Sequence, residues 1–221
     1  THTTGSARHT PWPAGPVVDG PSTTSGPLPT TRKTPTMTPR PAHRLPALAG
    51  AALLALSGCS SAGEQDSLLT EHGLEGKSTV EIVEALDSTN DDRESGLMAS
   101  IDHDTLTLAD GSSELELAVP DDQFYLAVAP YVASTHDCYH HNLVTCQGEL
   151  AGQQLEVTVT DADGRTLVDE TVTAYDNGFV GLWLPRDIEG TLELGYDGLT
   201  ATAPFGTGEG DPTCVTTMQL G

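Results

Sequence analysis

Positive charge is what this sequence has least of. Nine Lys plus Arg stand against 32 Asp plus Glu in 221 residues, a formal charge of -23. Nucleic-acid binding is excluded on that ground, because phosphate recognition needs clustered cations. Aromatic residues make up only 5% and hydrophobic residues 37%, lean but sufficient for a modest core. At 23.1 kDa the chain has room for one or two small domains and none for a large multidomain enzyme. Cysteine is scarce as well. Cys59, Cys138, Cys146 and Cys214 are too few for a disulfide-dense miniprotein. The sequence offers no glycine-rich phosphate loop, no nucleophile with a placed base and no paired carboxylates at a recognisable spacing, which leaves a hydrolase or kinase without support.

The longest apolar run, Leu45 to Leu56, is twelve residues, too short for a stable bilayer span. Its flanks explain it. Residues 1–36 are rich in Thr, Pro and Gly and lack the apolar surface needed to order themselves, so they read as a disordered stretch ahead of the biological start at Met37. Residues 37–58 carry Arg40 and Arg44, then the apolar run, then Leu56-Ser57-Gly58-Cys59. That order is similar to a bacterial lipoprotein signal. The alternative, a buried helix followed by a core cysteine, fits poorly with the polar tether at 59–67. Cys59 is therefore expected to be diacylated and to hold an exported domain at the outer face of the cytoplasmic membrane, with no other membrane contact. Beyond the signal, four bases remain against 31 acids, a charge of -27 that repels anionic membrane surfaces and attracts cations.

Residues 68–120 read as an N-terminal helix and hairpin portion. Val80, Ile82, Val83 and Leu86 mark a short helix with Ser78 or Thr79 as N-cap and Glu81 in its first turn. Thr105 and Thr107, then Glu114 and Glu116, alternate with apolar neighbours around a turn at Ala109 to Ser112. Residues 121–221 read as a β-rich, metal-binding portion. It opens with the continuous apolar strand Phe124 to Ala129, and short strands separated by Asp-Gly turns follow. Asp161, Asp163 and Gly164 lack the further oxygen ligands of a calcium loop and are taken as a hairpin turn. The fold class expected is α+β, with an antiparallel sandwich in the C-terminal portion.

Chemistry concentrates in His136-Asp137-Cys138-Tyr139-His140-His141-Asn142-Leu143-Val144-Thr145-Cys146 and, far downstream, Asp211-Pro212-Thr213-Cys214. Sulfur and imidazole donors of this kind suit copper(I), copper(II) or zinc rather than magnesium or calcium. The metal-ligand candidates are Cys138, Cys146, Cys214, His136, His140 and His141. Seven residues between Cys138 and Cys146 exclude a Cys-x-x-Cys redox helix and fail the zinc-ribbon spacing. A disulfide, with Cys146–Cys214 as one pairing, and buried inert thiols remain open beside metal binding. Adjacent His140 and His141 diverge on an extended loop and need not share an ion. Met218 is read mainly as a core residue, with an auxiliary thioether ligand as the alternative.

The segments Phe124-Tyr125-x-Ala127-Val128-Ala129-Pro130-Tyr131-Val132, Thr135-His136-x-Cys138, Thr145-Cys146-x-Gly148-Glu149-Leu150, Asp176-Asn177-Gly178-Phe179, Gly181 to Arg186 and Asp211 to Cys214 together resemble the CueP family of exported copper-resistance proteins. The resemblance implies copper binding through Cys138, Cys146 and Cys214, thiol-dependent conversion of copper(II) to copper(I), and delivery to a client such as a copper/zinc superoxide dismutase. It also implies association of two copies through the N-terminal portion. The lipobox is a departure from the soluble family members. A thiol redox or structural surface lipoprotein with a disulfide and no metal is the competing reading.

Overall fold

The computed structural model describes residues 67–221. The expected signal, the tether and the Cys59 lipidation site lie outside the described residues, apart from residue 67.

A helical turn at 67–71 precedes helix α1 (Thr79–Asp87). Ser78 caps α1 in a reciprocal box: its hydroxyl accepts from the Glu81 amide while the Glu81 carboxylate accepts from the Ser78 amide at 2.8 Å. The helix buries Ile82, Val83, Leu86 and Asp87 on one face. A 3-10 turn at Asp91–Glu94 leads to β1 (Met98–Ile101), β2 (Thr105–Ala109) and β3 (Glu114–Ala118). The β2–β3 turn forms where the sequence placed it, with Asp110 Oδ1 accepting from the Ser112 and Ser113 amides at 2.9 Å each.

The remaining strands are β4 (Gln123–Val128), β5 (His141–Asn142), β6 (Gln154–Asp161), β7 (Thr166–Thr173), β8 (Val180–Pro185), β9 (Glu189–Tyr196), β10 (Leu199–Gly206) and β11 (Cys214–Val215). They form three sheets among the described residues, in the orders β3-β2-β1-β5, β10-β9-β6-β7 and β11-β4-β8. The architecture is mostly antiparallel sheet with little helix, in keeping with the α+β expectation. The Asp161 to Gly164 segment is a hairpin turn, its Asp161 carboxylate accepting from the Asp163 and Arg165 amides.

Strand β4 organises the interior. Phe124, Leu126 and Val128 enter one apolar cluster with Leu155, Val157, Val159, Leu192 and Leu194. Tyr125, Ala127 and Ala129 enter the other, with Ile82, Leu86, Ile101, Leu106 and Leu143. A strand covered on both faces needs apolar residues at every position, which accounts for the unbroken run. Leu126 is fully buried, and such burial contributes about 1.5–3 kcal/mol.

One pairing was not visible in the sequence. β11 lies parallel to β4, with Cys214 opposite Ala127 and Val215 opposite Val128. This places Cys214 in the first cluster and Val215 in the second. β11 is only two residues long, so strand alternation does not carry from Cys214 to Met218. Met218 packs in the second cluster, away from Cys214, and is a core residue.

Candidate metal centre

The site assembles where β5 and β11 meet α1. His141 pairs opposite Ile101 in the β1–β5 ladder. Its amide donates to Thr213 Oγ1 at 3.0 Å, and that hydroxyl donates to the Ile101 carbonyl at 2.7 Å. One buried threonine therefore ties the N-terminal hairpin, the histidine loop and the C-terminal strand together. The Cys214 amide donates to the Tyr139 carbonyl at 3.1 Å and draws Cys214 alongside the start of the loop. Cys146 follows the turn after β5, its amide donating to the Asn142 carbonyl at 3.1 Å.

Cys138 and Cys214 form a disulfide. The pairing weighed from the sequence, Cys146–Cys214, is corrected: the Tyr139–Cys214 backbone bond brings Cys138 to the C-terminal strand, while Cys146 sits across the turn. Cys146 is the free cysteine among the described residues, and its Sγ lies 3.6 Å from Cys138 Sγ. His141 Nδ1 lies 3.6 Å from Cys214 Sγ. The donor atoms of Cys138, His141, Cys146 and Cys214 all lie within 4.8 Å of one another.

The structure brings four of the six candidate ligands together and leaves two outside the group. His140 is exposed, its ring against Tyr139 at 5.0 Å. His136 is half-buried and lines an open cleft of about 430 Å3 with Cys146, Arg93, Thr135 and Glu149. His140 and His141 point apart, as adjacent residues on an extended segment must.

A carboxylate missed by the sequence reading completes the surroundings. Asp87 is fully buried at the end of α1 and accepts from His141 Nε2 at 2.7 Å, from Asn177 Nδ2 at 2.6 Å and from the Tyr125 hydroxyl. Three donors satisfy a charge that would otherwise be prohibitively costly to bury. Its sequence signal is the position itself: an acid on the apolar face of a short amphipathic helix, next to Leu86. Burial pushes the Tyr125 phenol well above its ordinary range, as does the Asp87 charge, so Tyr125 stays a donor. For His141, burial pulls the imidazolium down, but Asp87, by charge and hydrogen bond, and Cys146 outweigh it and raise the pKa from 6.5 to about 9.

Gly181 makes room for this network. A Cβ at that position would overlap the Tyr125 hydroxyl, so only glycine lets the phenol cross β8 to reach Asp87. His141 also packs on Phe179 at 4.5 Å between ring centroids, and the Phe179 amide donates to Asn177 Oδ1 at 2.9 Å. The imidazole is thereby held at one nitrogen by a carboxylate, with the other nitrogen turned to the sulfurs. Metal-ligating histidines are commonly oriented in this way.

The family model described as periplasmic copper-binding protein CueP matches residues 81–219, which contain all four grouped donors and Asp87. The chain belongs to the CueP family. A solved CueP structure, described as the crystal structure of S.CueP, is 40% identical, covers 75% of this chain and 100% of its own, and superposes with a TM-score of 0.69. None of the curated proteins matches the chain. Among the described residues no helix is long and apolar enough to cross a membrane.

Proposed function

We propose that this CueP chain takes copper as its cargo and holds copper(I) through Cys138, Cys146 and Cys214, with His141 Nδ1 as the fourth donor. The observation that carries this reading is the convergence of three sulfurs and one imidazole nitrogen within 4.8 Å. Thiolates favour copper(I), and imidazole suits either oxidation state or zinc. Asp87 holds the proton of His141 at Nε2, which leaves Nδ1 to the metal once its own proton departs.

Reduction of copper(II) belongs to the same reading. Two thiolates give one electron to each of two copper(II) ions, which become copper(I), and the two sulfurs join. The Cys138–Cys214 disulfide is the form such a cycle leaves behind. In that form only Cys146 retains a thiol, so two electrons must return before three thiolates are available. His136, in the cleft beside Cys146, and exposed His140 are the nitrogens that copper(II) meets on the way in. Lipid anchoring through Cys59, as the lipobox implies, together with delivery to a client such as a copper/zinc superoxide dismutase and pairing of two copies through the 68–120 portion, as the family resemblance implies, completes the reading.

Anaerobic titration of the reduced protein with copper(I) against a competing chelator tests the core of this reading. One tightly held copper(I) per chain, weakened in each of Cys138→Ser, Cys146→Ser and Cys214→Ser, is expected. Binding no stronger than that of a variant with all three cysteines replaced overturns it.

A further inference from the structure

Three sulfurs in one cluster, two joined and one free, have a chemistry of their own that needs no metal. Cys146 Sγ stands 3.6 Å from Cys138 Sγ, close to sulfur–sulfur contact, while Cys138 is already bonded to Cys214. The two possible partners of Cys138 differ in surroundings. Cys214, the first residue of β11, is buried at 3% exposure, whereas Cys146 is half-buried and lines the open cleft with Arg93, Thr135 and His136. Cys138 sits between them, half-buried, on a loop that leaves its sulfur within reach of either partner.

We propose that the disulfide is not fixed but shuttles, with Cys138 as the shared station: Cys146 exchanges with Cys214 for Cys138 and carries the bond from the buried side of the cluster to the cleft. In the forward step the Cys146 thiolate attacks Cys138 Sγ, a Cys138–Cys146 bond forms and the Cys138–Cys214 bond breaks. The electron pair leaves on Cys214 Sγ, which ends with the proton that Cys146 gave up. One thiol and one disulfide stand on each side, so the step is redox-neutral and needs no outside oxidant or reductant. Exchange of this type requires a thiolate to reach a disulfide sulfur along the S–S axis; the 3.6 Å contact supplies the proximity, and rotation of the Cys138 and Cys146 side chains supplies the alignment.

The consequence is a route for electrons into a buried bond. A reducing dithiol from solvent meets a buried sulfur at Cys214, whereas the Cys138–Cys146 bond puts a disulfide sulfur in the open cleft. It attacks Cys146, forms a mixed disulfide and closes its own ring, leaving Cys138 and Cys146 as thiols beside the Cys214 thiol. Cys146 is thereby the entry point for reduction as well as a donor, a role independent of whether copper binds.

The test uses the oxidised, metal-free chain carrying Cys59→Ser, so that three sulfurs remain. After incubation near pH 8 the sample is quenched in acid, its free thiol is tagged with a maleimide, and the tag is located by mass spectrometry of peptic peptides. Tag on both Cys146 and Cys214 is expected, with cross-linked peptides for Cys138–Cys146 as well as Cys138–Cys214. In parallel, reduction by dithiothreitol is timed, and Cys146→Ser is expected to slow it about tenfold or more. Tag confined to Cys146, or equal reduction rates with and without Cys146, overturns the proposal.

Discussion

Asp87 Oδ1 and His141 Nε2 lie 2.7 Å apart, both side chains fully enclosed, although 54 residues separate them in the chain. The contact ties the last residue of α1 to the histidine of β5 and sets which imidazole nitrogen faces the sulfurs. Asp87→Asn keeps the shape and removes the charge. Copper(I) affinity is expected to fall about 10–100-fold, a loss typical of a removed carboxylate partner. Chelator competition on the reduced variant measures it, and an unchanged affinity would show that the pair serves folding alone.

The same pair gives a pH dependence with a defined sign. The His141 pKa is raised from 6.5 to about 9 in the folded protein, so protonated His141 stabilises the fold most fully below pH 6.5. That contribution declines as pH rises and is gone above about 9. In Asp87→Asn burial acts downward and only Cys146 still acts upward, so the pKa of the imidazole should fall from its raised value. NMR titration of the ring in the metal-free oxidised protein distinguishes the two.

Stability should report which cysteines are joined. The Cys138–Cys214 bond closes a sequence separation of 76 residues, and removing it by Cys214→Ser in a Cys146→Ser background, where Cys138 has no second partner, is expected to cost about 4 kcal/mol on the loop-entropy account. Cys146→Ser leaves that bond in place and should stay within about 0.5 kcal/mol of the parent. Urea unfolding under oxidising conditions makes the comparison, and equal losses for the two variants would contradict the pairing.

Gly181→Ala places a methyl group where the Tyr125 hydroxyl lies. The phenol must withdraw from Asp87, and the overpacking together with a lost bond to a buried charge should cost about 3 kcal/mol. Tyr125→Phe loses the hydrogen bond without the clash and is expected to lose less. A reversed ranking in thermal unfolding would argue against this arrangement.

Glu149 holds the rim of the cleft by accepting from three successive amides, Val132 at 2.8 Å, Ala133 at 2.9 Å and Ser134 at 3.2 Å. The bonds from Ala133, Ser134 and Val132 keep its carboxyl below the ordinary value of 4.5. Their support is present above that value and is lost as pH falls through the lowered one. Amide exchange at 132–134 should be accelerated in Glu149→Gln at neutral pH, and by acid in the parent protein. Exchange indifferent to both would remove Glu149 from this role.

Local signals in the sequence were reliable where a residue acts on near neighbours. Ser78 was one of two N-cap candidates, with Glu81 in the first turn, the Asp110 and Asp161 turns formed where expected, and β4 showed as an unbroken apolar run. The three sulfurs were legible as metal-ligand candidates beside the loop histidines, with a disulfide or buried inert thiols left open. Distant relationships were not. The parallel β11–β4 pairing depends on a two-residue strand with no periodicity to read, and with it went the choice of Cys138 over Cys146 as the partner of Cys214. Asp87 was passed over because charge on a helix is ordinarily solvated. Only the fold shows that Tyr125, Asn177 and His141 converge on it.

The third sulfur arrives on β11, close to the end of the chain, and so does the Thr213 hydroxyl that fastens His141 to Ile101. A polypeptide that stops before Thr213, whether still being synthesised or cut short by a nonsense codon, already contains α1, β5, Cys138 and Cys146 but cannot close the pocket around them. Synthesis through Cys214 is thus a precondition for the three-sulfur cluster, and a shorter copy holds at most the Cys138 and Cys146 pair.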